Sequence, residues 1–167
     1  MKKLFAILLA VMMLLAMTGC GKDDQEKTPA PDVLVVDAES KVVRLSNFLG
    51  KPVVINIWAS WCEPCKVEMS GFQQQFEAVG DQVQFMMINV TDGENETMES
   101  AQAFIEAEGF TFPVYYDVLS NAVMNLGVQT LPTTIFVDAE GNIVAQYSEL
   151  VTAQMLQDGI EMIYKGE

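Results

Sequence analysis

Val53-Val54-Ile55-Asn56-Ile57-Trp58-Ala59-Ser60-Trp61-Cys62-Glu63-Pro64-Cys65 is the stretch that decides the fold of this 167-residue chain. Its first half, Val53 to Ala59, is an apolar, β-branched run of the kind that makes a central strand buried on both faces. After Cys62 the pattern turns helical, with Val67, Met69, Phe72, Phe76 and Val79 spaced for one broad face. Cys62 therefore falls where a strand hands over to a helix, at the helix N-terminus. Unpaired backbone N–H groups and the helix dipole there stabilise an anion, which for cysteine is the thiolate. Pro64 suits the first helical turn, where its missing N–H costs nothing.

Two cysteines separated by two residues can close a disulfide within one helical turn and reopen it, passing two electrons through a mixed disulfide with a partner. As a structural staple, so short a loop would remove little entropy from the unfolded chain. As a zinc site, the pair would need further ligands, and the chain has no histidine and only one other cysteine. The strand–turn–helix context favours redox chemistry.

Trp58-Ala59-Ser60-Trp61-Cys62-Glu63-Pro64-Cys65 resembles the active site of thioredoxin-like proteins, and Glu63-Pro64 between the cysteines is similar to the TlpA/ResA branch of extracytoplasmic disulfide reductases. Thr130-Leu131-Pro132-Thr133 extends the likeness, which covers roughly residues 33 to 165. The resemblance implies a thioredoxin-like three-layer α/β sandwich with a mixed central sheet, an N-terminal β-hairpin and a strand–helix insertion. It also implies that Pro132 is a cis-proline facing the disulfide. Two positions depart from common patterns: Asn56 stands where thioredoxin proper has a buried aspartate, and Leu131 where many relatives in the branch have threonine.

Upstream, Lys2 and Lys3 precede an uncharged run from Leu4 to Met17. A stretch of about 14 residues is shorter than the ~20 of a spanning helix, so residues 1–19 read as a signal peptide, with an uncleaved anchor as the alternative. Met17-Thr18-Gly19-Cys20 resembles a bacterial lipobox, which implies cleavage before Cys20 and a lipid on its sulfur. The alternative is a free or disulfide-forming Cys20. The remaining residues to Asp32 are polar, charged and proline-punctuated, so 20–32 read as a lipidated cysteine plus flexible tether, and 33–167 as the folded domain.

Within that domain, Val33–Val36 and Lys41–Leu45 read as a hairpin, followed by a capped helical turn ending at Gly50. Gln82–Val90 is a second buried strand whose methionines are core filling. Thr91–Glu96 reads as a solvated acidic loop without the ligand spacing of an EF-hand calcium site. It leads into a helix over 97–108, with Met98, Ala101, Phe104 and Ile105 inward. A strand over 112–117 and a short helix over 120–126 supply the insertion. Thr133–Asp138 and Ile143–Tyr147 form a second hairpin, and 152–164 close the chain as an amphipathic helix.

The formal charge is −14, and removing Lys2 and Lys3 would leave 7 basic against 23 acidic residues, about −16. Nucleic acid is excluded as a partner on that balance. The expected activity is thiol–disulfide exchange by a monomeric, membrane-anchored reductase on the extracytoplasmic face of a bacterial membrane. Its only redox group is the Cys62–Cys65 pair, with no metal or further cofactor. Cys62 is the expected nucleophile and Cys65 the resolving thiol. Trp61 would cover the disulfide, Glu63 tune the thiolate or move a proton, and Pro132 shape the substrate groove. The resemblance implies protein disulfides as substrates, apocytochrome c among them, and a membrane electron donor similar to the DsbD/CcdA family. Three alternatives remain: an oxidase running the same chemistry backwards, a thiol peroxidase, and a binding lipoprotein with an inert disulfide. Peroxidase chemistry wants an arginine by the reactive cysteine, and the only arginine is Arg44 in the first hairpin.

Overall fold

The computed structural model describes residues 28–166. The expected signal peptide, Cys20 and the first part of the tether lie outside the described residues.

Eight strands form one mixed sheet in the order β1-β8-β7-β4-β5-β6-β2-β3. In chain order these are β1 (Thr28–Pro29), β2 (Leu34–Val36), β3 (Val42–Arg44), β4 (Val53–Trp58), β5 (Gln84–Asn89), β6 (Val114–Tyr116), β7 (Thr133–Val137) and β8 (Asn142–Tyr147). The helices are α1 (Glu63–Val79), α2 (Met98–Glu108), α3 (Asn121–Asn125) and α4 (Ala153–Ile163), with a 3-10 turn at Leu45–Phe48. β4 is central and fully buried. It pairs parallel with β5 and antiparallel with β7, from Val53 opposite Gln84 and Val137.

The strand period of two divides the core between the two faces of the sheet. Val54 and Trp58 of β4, Phe85 and Met87 of β5 and Phe136 of β7 pack on one side with Cys65, Met69 and Phe72 of α1 and Leu156 and Ile160 of α4. Val53, Ile55 and Ile57 pack on the other with Met86, Ile88, Ile135, Val137, Leu45 and the α3 residue Ala122. Asn56 shares the α1 side with Val54 and Trp58, so the one polar residue of the central strand points at the helix carrying the cysteines. α4 comes close to β7 because residue 159 is glycine, where a Cβ would collide with the Phe136 ring.

Three sequence expectations need correction. Val67, placed on the inner face of α1, is 67% exposed. The buried stripe instead runs Cys65, Glu68, Met69, Phe72, so a glutamate takes the interior place. Second, the tether ends earlier than Asp32. Thr28 and Pro29 pair with Ile143 and Asn142 of β8, Ala30 N–H donates to Gly141 O, and the Asp32 carboxylate accepts the Ser46 N–H. Pro29, which lacks an N–H, is tolerated because β1 is the sheet edge. Third, the 91–96 loop is not simply solvated, since Glu96 at its end is completely buried.

Candidate active site

β4 ends at Trp58, and the turn Ala59-Ser60-Trp61 delivers Cys62 as the N-cap of α1. The Cys62 N–H donates to Ala59 O at 3.1 Å, closing the turn, and the Cys62 sulfur accepts the Cys65 N–H at 3.3 Å. Cys62 and Cys65 are joined by a disulfide with an S–S distance of 2.06 Å. Cys62 keeps 5% of its surface exposed, whereas Cys65 is fully buried. An incoming sulfur therefore has access to Cys62 alone, and a thiolate there would receive the Cys65 N–H at the helix N-terminus.

A groove of about 450 Å3 lies beside Cys62, walled by Trp61, Pro64, Val90, Val123, Val128 and Leu131, among others. Trp61 is 55% exposed at its rim, while Trp58 is wholly buried in the core. The Leu131–Pro132 bond is cis. Leu131 lines the groove, whereas Pro132 is buried and is not among its lining residues. Val123 of α3 and Val128, which follows it, show what the strand–helix insertion contributes: the apolar far wall of the groove.

Glu63 sits at the surface, its side chain 79% exposed and paired with Lys66 at 2.7 Å. It forms a solvated i,i+3 pair, which has little leverage on the thiols. The carboxyl placed to act on them is Glu68, one helical turn beyond Cys65. Glu68 is 5% exposed; its Oε1 accepts from Asn56 Nδ2 at 2.7 Å and its Oε2 from the Val151 N–H at 2.9 Å. Burial pushes its pKa up to about 7, against the pull of these two donors. Asn56 also donates to Thr134 Oγ1 at 3.1 Å, and its own Oδ1 has no partner. Asn56, at the position where thioredoxin proper has a buried aspartate, thus holds the acid rather than being it.

A second buried carboxylate fixes the turn ahead of the cysteines. Glu96 Oε1 accepts the Ser60 N–H at 2.9 Å and Asn89 Nδ2 at 2.6 Å, and its Oε2 accepts Ser60 Oγ at 2.7 Å. Asp92 shapes the loop that presents it, its Oδ1 accepting the N–H groups of Glu94, Asn95 and Glu96. Those donors hold the Asp92 carboxyl well down, to about 2. Glu96→Ala would leave the buried Asn89 amide and the half-buried Ser60 donors unpaired, at up to ~1–3 kcal/mol each. A thermal melt is expected to show a lower midpoint, with broadened Trp61 fluorescence from a loosened turn. A variant as stable as the parent would show that the clamp contributes nothing.

Neither Glu68 nor Glu96 stood out in the sequence. Glu68 does lie on the i, i+3, i+4, i+7 stripe with Cys65, Met69 and Phe72, which is a usable signal. Glu96 carries none, because its partners come from β5 and the Ser60 turn. Arg44 bonds Asp32 at 3.4 Å on β3, separated from β4 by β5, β6 and β2. It is thus remote from Cys62, which argues against a peroxidase. Among the described residues, no group of three or more histidine, cysteine, aspartate or glutamate side chains could hold a metal ion.

A family model described as the AhpC/TSA family matches residues 27–146. The thiol-disulfide oxidoreductase ResA of Bacillus subtilis (strain 168) is 32% identical over 149 residues, spanning 88% of this chain and 81% of that protein. ResA of Geobacillus kaustophilus is 31% identical over 93% of this chain and 89% of its own length. Among solved structures, a DsbF homologue from Corynebacterium diphtheriae superposes with a TM-score of 0.72 at 31% identity, covering 87% of this chain and 95% of that one. StoA from Bacillus subtilis gives 0.68 at 26% identity, covering 79% and 98%.

Proposed function

We propose that this chain, which belongs to the AhpC/TSA family and is a thiol–disulfide oxidoreductase of the ResA kind, runs in the reducing direction on disulfides of exported proteins. The observation that carries the direction is the buried Glu68 carboxyl behind Cys65, held by neutral donors and with no histidine anywhere in the chain. A carboxylate near the pair disfavours the thiolate and leaves the disulfide comparatively stable, which makes the dithiol a good electron donor.

The Cys62 thiolate attacks one sulfur of a substrate disulfide, forming the mixed disulfide and releasing the first substrate thiolate, which takes a proton from water. Cys65 then gives its proton to Glu68, and the resulting thiolate attacks the Cys62 sulfur. The Cys62–Cys65 bond forms and the second substrate thiolate leaves into the groove, taking a proton from water while Glu68 releases the Cys65 proton to solvent. Two electrons and two protons pass to the substrate, and a dithiol donor restores the enzyme by the reverse sequence. A carboxyl with a pKa of about 7 suits both halves, because it can accept and return a proton near neutrality.

The remaining parts of this reading rest on the sequence. The apolar leader and the lipobox-like Met17-Thr18-Gly19-Cys20 support a lipid anchor at Cys20 and a place on the outer face of a bacterial membrane. A membrane carrier similar to DsbD/CcdA would supply electrons from the cytosol, apocytochrome c thiols would be among the recipients, and the working form would be a monomer. Cys20→Ala is expected to move the protein to the soluble extracytoplasmic fraction or leave it as precursor. Unchanged processing and membrane retention would rule out the anchor.

The direction is tested by mixing the protein in each redox state with a model substrate. Reduced protein should open the disulfides of folded insulin, with two substrate thiols appearing for each enzyme disulfide formed. Oxidised protein that instead installs disulfides in a reduced, unfolded chain, while reduced protein leaves insulin intact, would reverse the assignment.

A further inference from the structure

We propose that Glu68 exchanges its proton with solvent through a cleft between α1 and α4, behind the substrate groove, so that proton transfer at the cysteine pair continues while a substrate covers the front. The inference rests on the role given to Glu68 above and adds the route. Trp61, Cys62, Glu63, Pro64 and Leu131 wall the groove, and Glu68 is not among its lining residues. A peptide seated over Cys62 would close that side, and Cys65 has no exposed surface of its own.

Glu68 does line a separate cleft of about 320 Å3, with Ser70, Gly71 and Gln74 of α1 facing Val151, Thr152 and Leu156. At ~30 Å3 per molecule, that volume holds roughly ten waters. The side chains of Ser70 and Gln74 can bond such waters, and both Glu68 and the Val151 that bonds its Oε2 line this cleft. The groups meeting Glu68 are neutral: the Asn56 amide from β4, with Thr134 of β7 behind it, and the Val151 N–H from the loop before α4. Along its own helix the neighbouring titratable groups are Lys66, which pairs with Glu63 at the surface, and Cys65 one turn before it. A buried acid that must gain and lose a proton in every cycle needs contact with water, and this cleft supplies it.

Residue 71 offers a way to close the cleft. A Cβ there would meet only Leu156 Cδ2, at 3.9 Å, so a methyl group fits without collision and a larger side chain would take up cleft volume. The probe is a disulfide-linked peptide dimer with a fluorophore released at each exchange. The first release reports attack by Cys62 and the second reports resolution by Cys65. In Gly71→Leu the second release is expected to slow about fivefold or more at pH 7, with its apparent pKa displaced upward, while the first release stays within about twofold of the parent. Gly71→Ala should shift the same quantities less. Gln74→Leu, which only dries the exposed mouth, should shift them in the same direction and covers the case in which Gly71→Leu fails to fold. Second-phase rates and pH profiles like the parent's in the folded variants would overturn the route. If the parent itself shows neither release, the reductase reading falls and not the route alone.

Discussion

Cys62→Ser is expected to abolish disulfide exchange, by at least about three orders of magnitude, while Cys65→Ser arrests the protein covalently on its partner. The asymmetry follows from burial. Cys62 presents its sulfur at the groove and caps α1, whereas Cys65 is sealed beneath it and can reach only Cys62. Without the resolving thiol the mixed disulfide has no internal exit. Non-reducing gels of the Cys65→Ser protein purified from its host should show adducts that collapse on reduction, and the captured chain identifies the substrate. Adducts that form on Cys65 in the Cys62→Ser protein instead would exchange the two roles.

Glu68→Gln should leave the first attack largely intact and slow the resolving step by roughly tenfold or more at pH 7, since a positioned acid–base group contributes about 10²–10⁴. Stability should change with pH in a defined sense. The folded pKa, about 7, lies above the ordinary 4.5. The folded protein therefore holds the proton that the unfolded chain releases, and the associated stability is full below about 4.5 and lost as pH rises through 7. The whole span is on the order of 3 kcal/mol, at 1.36 kcal/mol for each pH unit between 4.5 and 7. Denaturant melts of the parent should weaken across that window relative to Glu68→Gln, which has no proton to release. Equal pH dependence in the two proteins would place the titration elsewhere.

The framework could be read from the chain because its signals are local. Val53–Trp58 announces a doubly buried strand, the period changes at Cys62, and the two hairpins have recognisable turns. What escaped was every feature made by distant polar partners. Glu68 looks like a surface residue of an amphipathic helix until Asn56, 12 residues earlier, and Val151, 83 residues later, are brought to it. Glu96 needs Ser60 from 36 residues upstream, and in sequence it is one more acid in an acidic loop. Glu63 drew attention by lying between the cysteines, yet the helix turns it outward to Lys66. Val67 misled in the opposite direction, because an apolar residue fits an inner face by type while its angle on α1 points to water. Thr28–Pro29 reads as linker because so short an edge strand has no periodicity to detect.

The reduction potential of the Cys62–Cys65 pair tests the reductase account most directly. Equilibration in dithiothreitol or glutathione buffers, followed by Trp61 fluorescence or thiol labelling, is expected to give a value nearer the roughly −270 mV of thioredoxin than the roughly −120 mV of a strong oxidase. A value at the oxidase end, in a protein that rapidly introduces disulfides into a reduced unfolded substrate, would contradict it.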